Sequence, residues 1–153
     1  MADAYIVALT LFSRRELSEA QLRTRLARKQ FPDEDIDRAV ERLRAEGTIN
    51  DRRVALAAAR LESSIRHRGR SRVLQKLRTL GIAASIAESA ISEVFEEVDE
   101  AALLDRALER RLRGQTAREL DEKGRARMVR GLMAQGFQMG AILKKLRGAP
   151  DDS

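Results

Sequence analysis

The sequence predicts an all-α chain built as three tandem three-helix modules that form an elongated, curved rod. Three observations predict it. A 14-residue motif occurs three times; apolar residues recur at helical spacing between cap signals; and no stretch sustains the two-residue alternation of a strand, with only 2 Pro in 153 residues. The clearest copies of the motif are GRSRVLQKLRTLGI from Gly69 and GRARMVRGLMAQGF from Gly124. The third, SEAQLRTRLARKQF from Ser18, aligns Leu22 with Val73 and Met128, Leu26 with Leu77 and Leu132, and Phe31 with Ile82 and Phe137. Copies 51 and 55 residues apart place the modules at 1–49, 50–98 and 99–148, with a disordered tail at 149–153.

The first helix is expected from Ala4 to Arg14, apolar nearly all round, with Tyr5, Val7, Ala8, Leu11 and Phe12 available for burial. Ser18 and Gln21 form an S-x-x-Q capping box flanked by Leu17 and Leu22, which starts a second helix with Leu22, Leu26 and Ala27 on its core face. Pro32 ends it. Asp33, Glu34, Asp35 and Asp37 suit the positive N-terminus of a third helix, which buries Ile36, Ala39, Val40 and Leu43 and stops at Gly47.

The cycle restarts at Asn50-Asp51, which cap a long helix carrying Val54, Ala55, Ala58, Leu61 and Ile65 until Gly69 interrupts it. The motif helix follows with Val73, Leu74, Leu77 and Leu80, and Gly81 stands where a left-handed residue is wanted. Its companion, 84–98, buries Ala87, Ala90, Ile91, Val94 and Phe95. The third round opens at Asp99, with Ala101, Leu104, Ala107, Leu108 and Leu112 on a helix closed near Gly114. Segment 115–123 is compatible with a polar loop or with a longer next helix. The motif at Gly124 and a short helix over 140–147 complete the set.

Composition narrows the function. The chain has no Cys and 1 His, so thiolate chemistry and convergent metal ligation lack their usual groups, and a non-enzymatic role without cofactor is expected. Glu96-Glu97 and Asp121-Glu122 read as solvated helix ends. The absence of Cys suits a reducing cytoplasm, and the longest apolar run, 4–12, is far short of the roughly 20 residues of a membrane span. No heptad seam argues for partnered helices, so a monomer is expected.

The net charge is +6, and its placement matters more than its size. Between residues 52 and 78 stand Arg52, Arg53, Arg60, Arg66, Arg68, Arg70, Arg72, Lys76 and Arg78, with Glu62 the only acid. Arginines gathered at a helix junction offer bidentate donors to phosphate or carboxylate. Arg14 and Arg15 occupy the equivalent junction of the first module, tempered by Glu16 and Glu19, and Arg125 and Arg127 that of the third. The candidate binding residues are therefore Arg14, Arg15, Arg52, Arg53, Arg66, Arg68, Arg70, Arg72, Lys76, Arg125 and Arg127. Phe31 and Phe137 align with Ile82, which marks core positions instead of base-stacking platforms. Contact with nucleic acid, single- or double-stranded, is thus expected through phosphates. A helix-turn-helix reader is disfavoured, since the candidate recognition helix carries Glu88, Glu93, Glu96 and Glu97 and no Lys or Arg.

Three stretches together resemble the RecX family of RecA regulators: Ser13-Arg14-Arg15-Glu16-Leu17-Ser18 with the following Leu22, Leu26, Lys29 and Phe31; Ile49-Asn50-Asp51-Arg52-Arg53-Val54-Ala55; and Gly69 to Ile82. The resemblance covers nearly the whole chain and weakens in the third module. Gln30 stands where that family usually has Gly, and Val54 and Arg68 where it usually has aromatic residues. The resemblance implies a three-module all-α protein lying in the groove of a RecA filament on DNA. Its implied action is to inhibit strand exchange and ATP hydrolysis by binding RecA protomers and DNA phosphates. The competing expectation is a basic DNA- or RNA-binding module that acts without RecA.

Overall fold

A computed structural model describes residues 3–147; the tail expected at 149–153 lies outside the described residues. The helices are α1 (Ala4–Arg14), α2 (Glu19–Arg28), α3 (Asp33–Ala45), α4 (Asp51–Arg60), α5 (Arg70–Thr79), α6 (Ala84–Glu97), α7 (Glu100–Leu112), α8 (Glu122–Ala134) and α9 (Met139–Leu146). No strand occurs among the described residues, so the chain is all-α as the sequence predicts. Helices α1–α3 close over one core of Ala8, Leu17, Leu22, Leu26, Ile36, Val40, Leu43 and Ile49. The helices from α4 onward share a second, contiguous core that runs from Val54 to Leu146. Among the described residues no helix of α1–α3 packs broadly against α7–α9.

The caps explain where the helices begin. Ser18 and Gln21 make the reciprocal capping box at α2, and Asn50 caps α4 by accepting from Arg53 N–H. Asp99 and Asp121 cap α7 and α8 in the same way. Aligned Ile82 and Phe137 are both buried, as core positions should be, and Phe31 packs half-buried on the first core.

Six details depart from expectation. The helix expected to run to Ile65 ends as an α-helix at Arg60 and continues as a π-helical turn, Leu61–Ile65, closed by Arg66 N–H donating to the Leu61 carbonyl at 3.2 Å. The extra residue per turn rotates the face, so Leu61 and Ile65 lie 44% and 66% exposed while Glu62 and Ser63 are buried. The Ser63 hydroxyl donates to the Ala59 carbonyl at 2.8 Å, a bond that competes with the regular ladder. Ala59, not Ala58, joins Ala55 as a fully buried position of α4. Ala27 is exposed, since α2 turns only Leu22 and Leu26 fully inward; in α7 Leu103 takes the burial expected of Ala101. Segment 115–123 forms neither alternative alone: a 3-10 turn, Ala117–Glu119, is followed by α8 starting two residues before Gly124. Helix α1 is the least covered, with Tyr5, Val7, Leu11 and Phe12 only half-buried.

Candidate nucleic-acid and partner interface

The site is assembled by two equivalent junctions. Ser18, at the start of the first motif copy, donates its hydroxyl to the carbonyl of Leu80 at 2.5 Å. Gly69, at the start of the second copy, donates its N–H to the carbonyl of Gln135 at 2.9 Å, and Gln135 aligns with Leu80. The start of each motif helix therefore sits on the last turn of the next one. Gly81 and Gly136, at φ +78° and +108°, close those turns. A β-carbon on Gly81 would overlap that of Ala20, and one on Gly136 would meet Arg72 and the Gly69 carbonyl. Glycine is required there by conformation and by contact. The aligned residue of the first copy, Gln30, also adopts a positive φ of 69°, but it stands at the open end, where no earlier motif helix docks on its turn.

Because the junction repeats, so does the surface beside it. Gln21, Thr24, Arg25 and Arg28 on α2 line a concavity of about 280 Å³ together with Thr79, Leu80 and Gly81. Arg72, Gln75, Lys76 and Thr79, the aligned positions on α5, line one of about 230 Å³ with Glu62, Arg66 and Arg68. Thr79 borders both, so the two form a continuous groove along the motif helices. In the third copy the aligned positions of Arg72 and Gln75 are Arg127 and Arg130, both exposed on α8.

The groove is strongly cationic. Glu62 is its only acid; it is 3% exposed and accepts from Arg66 at 3.0 Å. Arg25, Arg28, Arg68, Arg72 and Lys76 have no carboxylate partner among the described residues, although Arg72 donates to Gln75 at 2.6 Å. Five unneutralised cations along one groove favour a polyanion.

The candidate residues divide sharply. Arg66, Arg68, Arg72 and Lys76 come together in the groove. Arg70 does not: it turns to the opposite side of α5, donating to Glu100 at 2.7 Å and lying over the Phe95 ring. Arg52 is held by Glu93 and Ser89. Arg53 is held by Glu16 and by the Gly47 and Thr48 carbonyls, which ties α4 to the first triplet. Arg125 donates to the Leu146 carbonyl at 2.9 Å. Arg14 and Arg15 are exposed at the end of α1, and Arg127 is exposed on α8. Arg25 and Arg28 were not among the candidates; the motif alignment contains a signal for Arg25, which aligns with the candidate Lys76, but none for Arg28, which aligns with Thr79. Two further groups show how fixed the first triplet is. Burial opposes ionisation of Glu19, but hydrogen bonds from Arg44 and Arg23 outweigh it and hold that carboxyl below its ordinary range. The hydrogen bond from Tyr5 to Glu46, at 2.7 Å, raises the phenol above its own.

Among the described residues no three His, Asp or Glu side chains converge on a metal-sized site, and no helix is long and apolar enough to cross a membrane. The fold and groove define an all-helical repeat protein that presents a cationic groove. Comparison with known proteins narrows this. The family model described as RecX, first three-helix domain, matches residues 4–43. A regulatory protein RecX of Syntrophotalea carbinolica is 38% identical over 143 residues, covering 93% of each chain. That of Pseudomonas entomophila is 34% identical over 92% of this chain and 88% of its own. The crystal structure of RecX from Lactobacillus salivarius superposes with a TM-score of 0.81 at 17% identity, over 95% of this chain and 96% of that one. The chain belongs to the RecX family of regulatory proteins.

Proposed function

We propose that the protein is a non-enzymatic, cytoplasmic regulator that binds the RecA–DNA filament as a monomer and inhibits recombinase and ATPase activity, thereby modulating recombination and repair. Membership of the RecX family supports the regulatory class, and the groove along the motif helices supports the mode of binding. The observation that carries the reading is the coincidence of repeat and charge: aligned positions on α2 and α5 line consecutive cationic concavities. Three units, 1–49, 50–98 and 99–148, meet successive sites of a periodic assembly, and their linkage raises affinity without any single strong contact. Arg25, Arg28, Arg68, Arg72 and Lys76 contact DNA phosphates, while Arg52, Arg53 and Arg70 act by holding the helices that present them.

The deciding experiment is RecA-driven ATP hydrolysis on DNA, with stoichiometric protein, at low and moderate salt. Inhibition at both supports the reading. Retained DNA binding without inhibition favours instead a nucleic-acid-binding module that acts without RecA, a role the phosphate-scale groove also suits.

A further inference from the structure

On the other side of α5 lies a groove of different chemistry. Arg70, Ser71 and Leu74 form one wall, Glu88, Ile91 and Ser92 of α6 the other, and Glu100, Gly136 and Gln138 close it at the second junction; its volume is about 330 Å³. Helical periodicity sets residues 70, 71 and 74 on the face opposite 72, 75, 76 and 79, so α5 separates this groove from the basic one. Its exposed lining is mainly apolar, with Leu74 and Ile91 beneath, and its charge is acidic. Arg70 is neutralised by Glu100 at 2.7 Å, whereas Glu88 has no cationic partner among the described residues. Helix α6 bears four glutamates and no Lys or Arg; Arg52 and Arg60 pair only Glu93 and Glu97.

Such a groove repels phosphate and accepts an apolar side chain. Its size suits one or two anchoring side chains and not a folded domain. We propose that it is the contact for the protein component of the target: it takes an apolar side chain lying within one helical turn of a Lys or Arg, the cation meeting Glu88. This assignment rests on the reading that the target is a RecA filament. It divides the molecule into a phosphate face on one side of α5 and a protein face on the other.

Two substitutions test it without touching the basic groove. Ser92 and Glu88 are exposed and make no side-chain hydrogen bond, so Ser92→Trp fills the groove and Glu88→Gln removes its free charge, and far-UV circular dichroism checks the fold. Binding is measured by fluorescence anisotropy to RecA assembled on single-stranded DNA and, separately, to the bare oligonucleotide. The expected result is at least tenfold weaker binding of S92W to the filament and several-fold weaker binding of E88Q, with unchanged affinity for bare DNA. Wild-type affinity of both variants for the filament overturns the groove assignment alone. A wild-type protein that binds the filament no better than bare DNA overturns the RecA reading and this assignment with it.

Discussion

Ser18 and Leu80 lie 62 residues apart and are joined by one 2.5 Å hydrogen bond, from the Ser18 hydroxyl to the Leu80 carbonyl. The same hydroxyl accepts from Gln21 N–H and so caps α2, and Ser18 is fully buried. A single side chain therefore begins a helix and fixes it to the next triplet. The Gly69–Gln135 bond repeats the arrangement through backbone alone. Junction geometry, not loop length, aligns α2 and α5 into one groove.

Gly81→Ala measures the junction directly. Gly47 has almost the same backbone angle, φ +79° against +78°, but its missing β-carbon faces open space, whereas that of Gly81 faces Ala20. Gly47→Ala is expected to lose about 1 kcal/mol from backbone strain alone. Gly81→Ala should lose about 1–3 kcal/mol more through overpacking. Urea denaturation of both variants checks this, and equal losses would mean that the contact is slack.

Neutralising Glu62 frees Arg66 inside the basic groove. Glu62→Gln should tighten DNA binding several-fold and make the slope of log K against log salt more negative by about 1; Lys76→Gln should weaken binding and flatten the slope by a similar amount. Titrations at several salt concentrations read both effects.

Glu19 makes the first triplet sensitive to acid. Hydrogen bonds from Arg44 and Arg23 hold its carboxyl below the ordinary range despite opposing burial. A depressed folded-state pKa contributes stability that is present above the unfolded value and lost as pH falls through the folded one. Stability should therefore decline below about pH 4.5, partly through Glu19, and Glu19→Gln should shrink that decline while costing about 1 kcal/mol at neutral pH. Thermal denaturation between pH 3 and 7 compares the two proteins.

Arg53→Gln should act on the fold and not on binding. Its guanidinium reaches Glu16 and two backbone carbonyls between α3 and α4, and its removal leaves those acceptors unpaired. We expect a loss of about 1–2 kcal/mol in stability and unchanged affinity for DNA. A proportionate loss of affinity in a folded variant would return Arg53 to the binding surface.

Much of this was legible from residue order. Caps, turn glycines and apolar spacing located the helices, because each depends on neighbours within one or two turns. The π-helical turn was not legible, since Leu61 and Ile65 keep a helical spacing that favours burial, and only the packed chain shows Glu62 and Ser63 in their place. The site was half legible. Local charge density singled out Arg66 to Arg72, but a helix distributes successive residues around its axis, and so Arg70 parts from Arg68 and Arg72. Arg25 and Arg28 enter the groove through a junction with a helix 50 residues away, which charge density along the chain does not register.

The central claim is tested most directly by RecA-driven ATP hydrolysis with two folded variants of equal charge change. The first reverses Arg25, Arg72 and Lys76 to Glu in the groove; the second reverses Arg106, Arg110 and Arg113, exposed cations on and just after α7 outside the groove lining. The account predicts that the groove variant loses inhibition by at least tenfold and the α7 variant keeps it. Equal inhibition by both, or loss confined to the α7 variant, would contradict it.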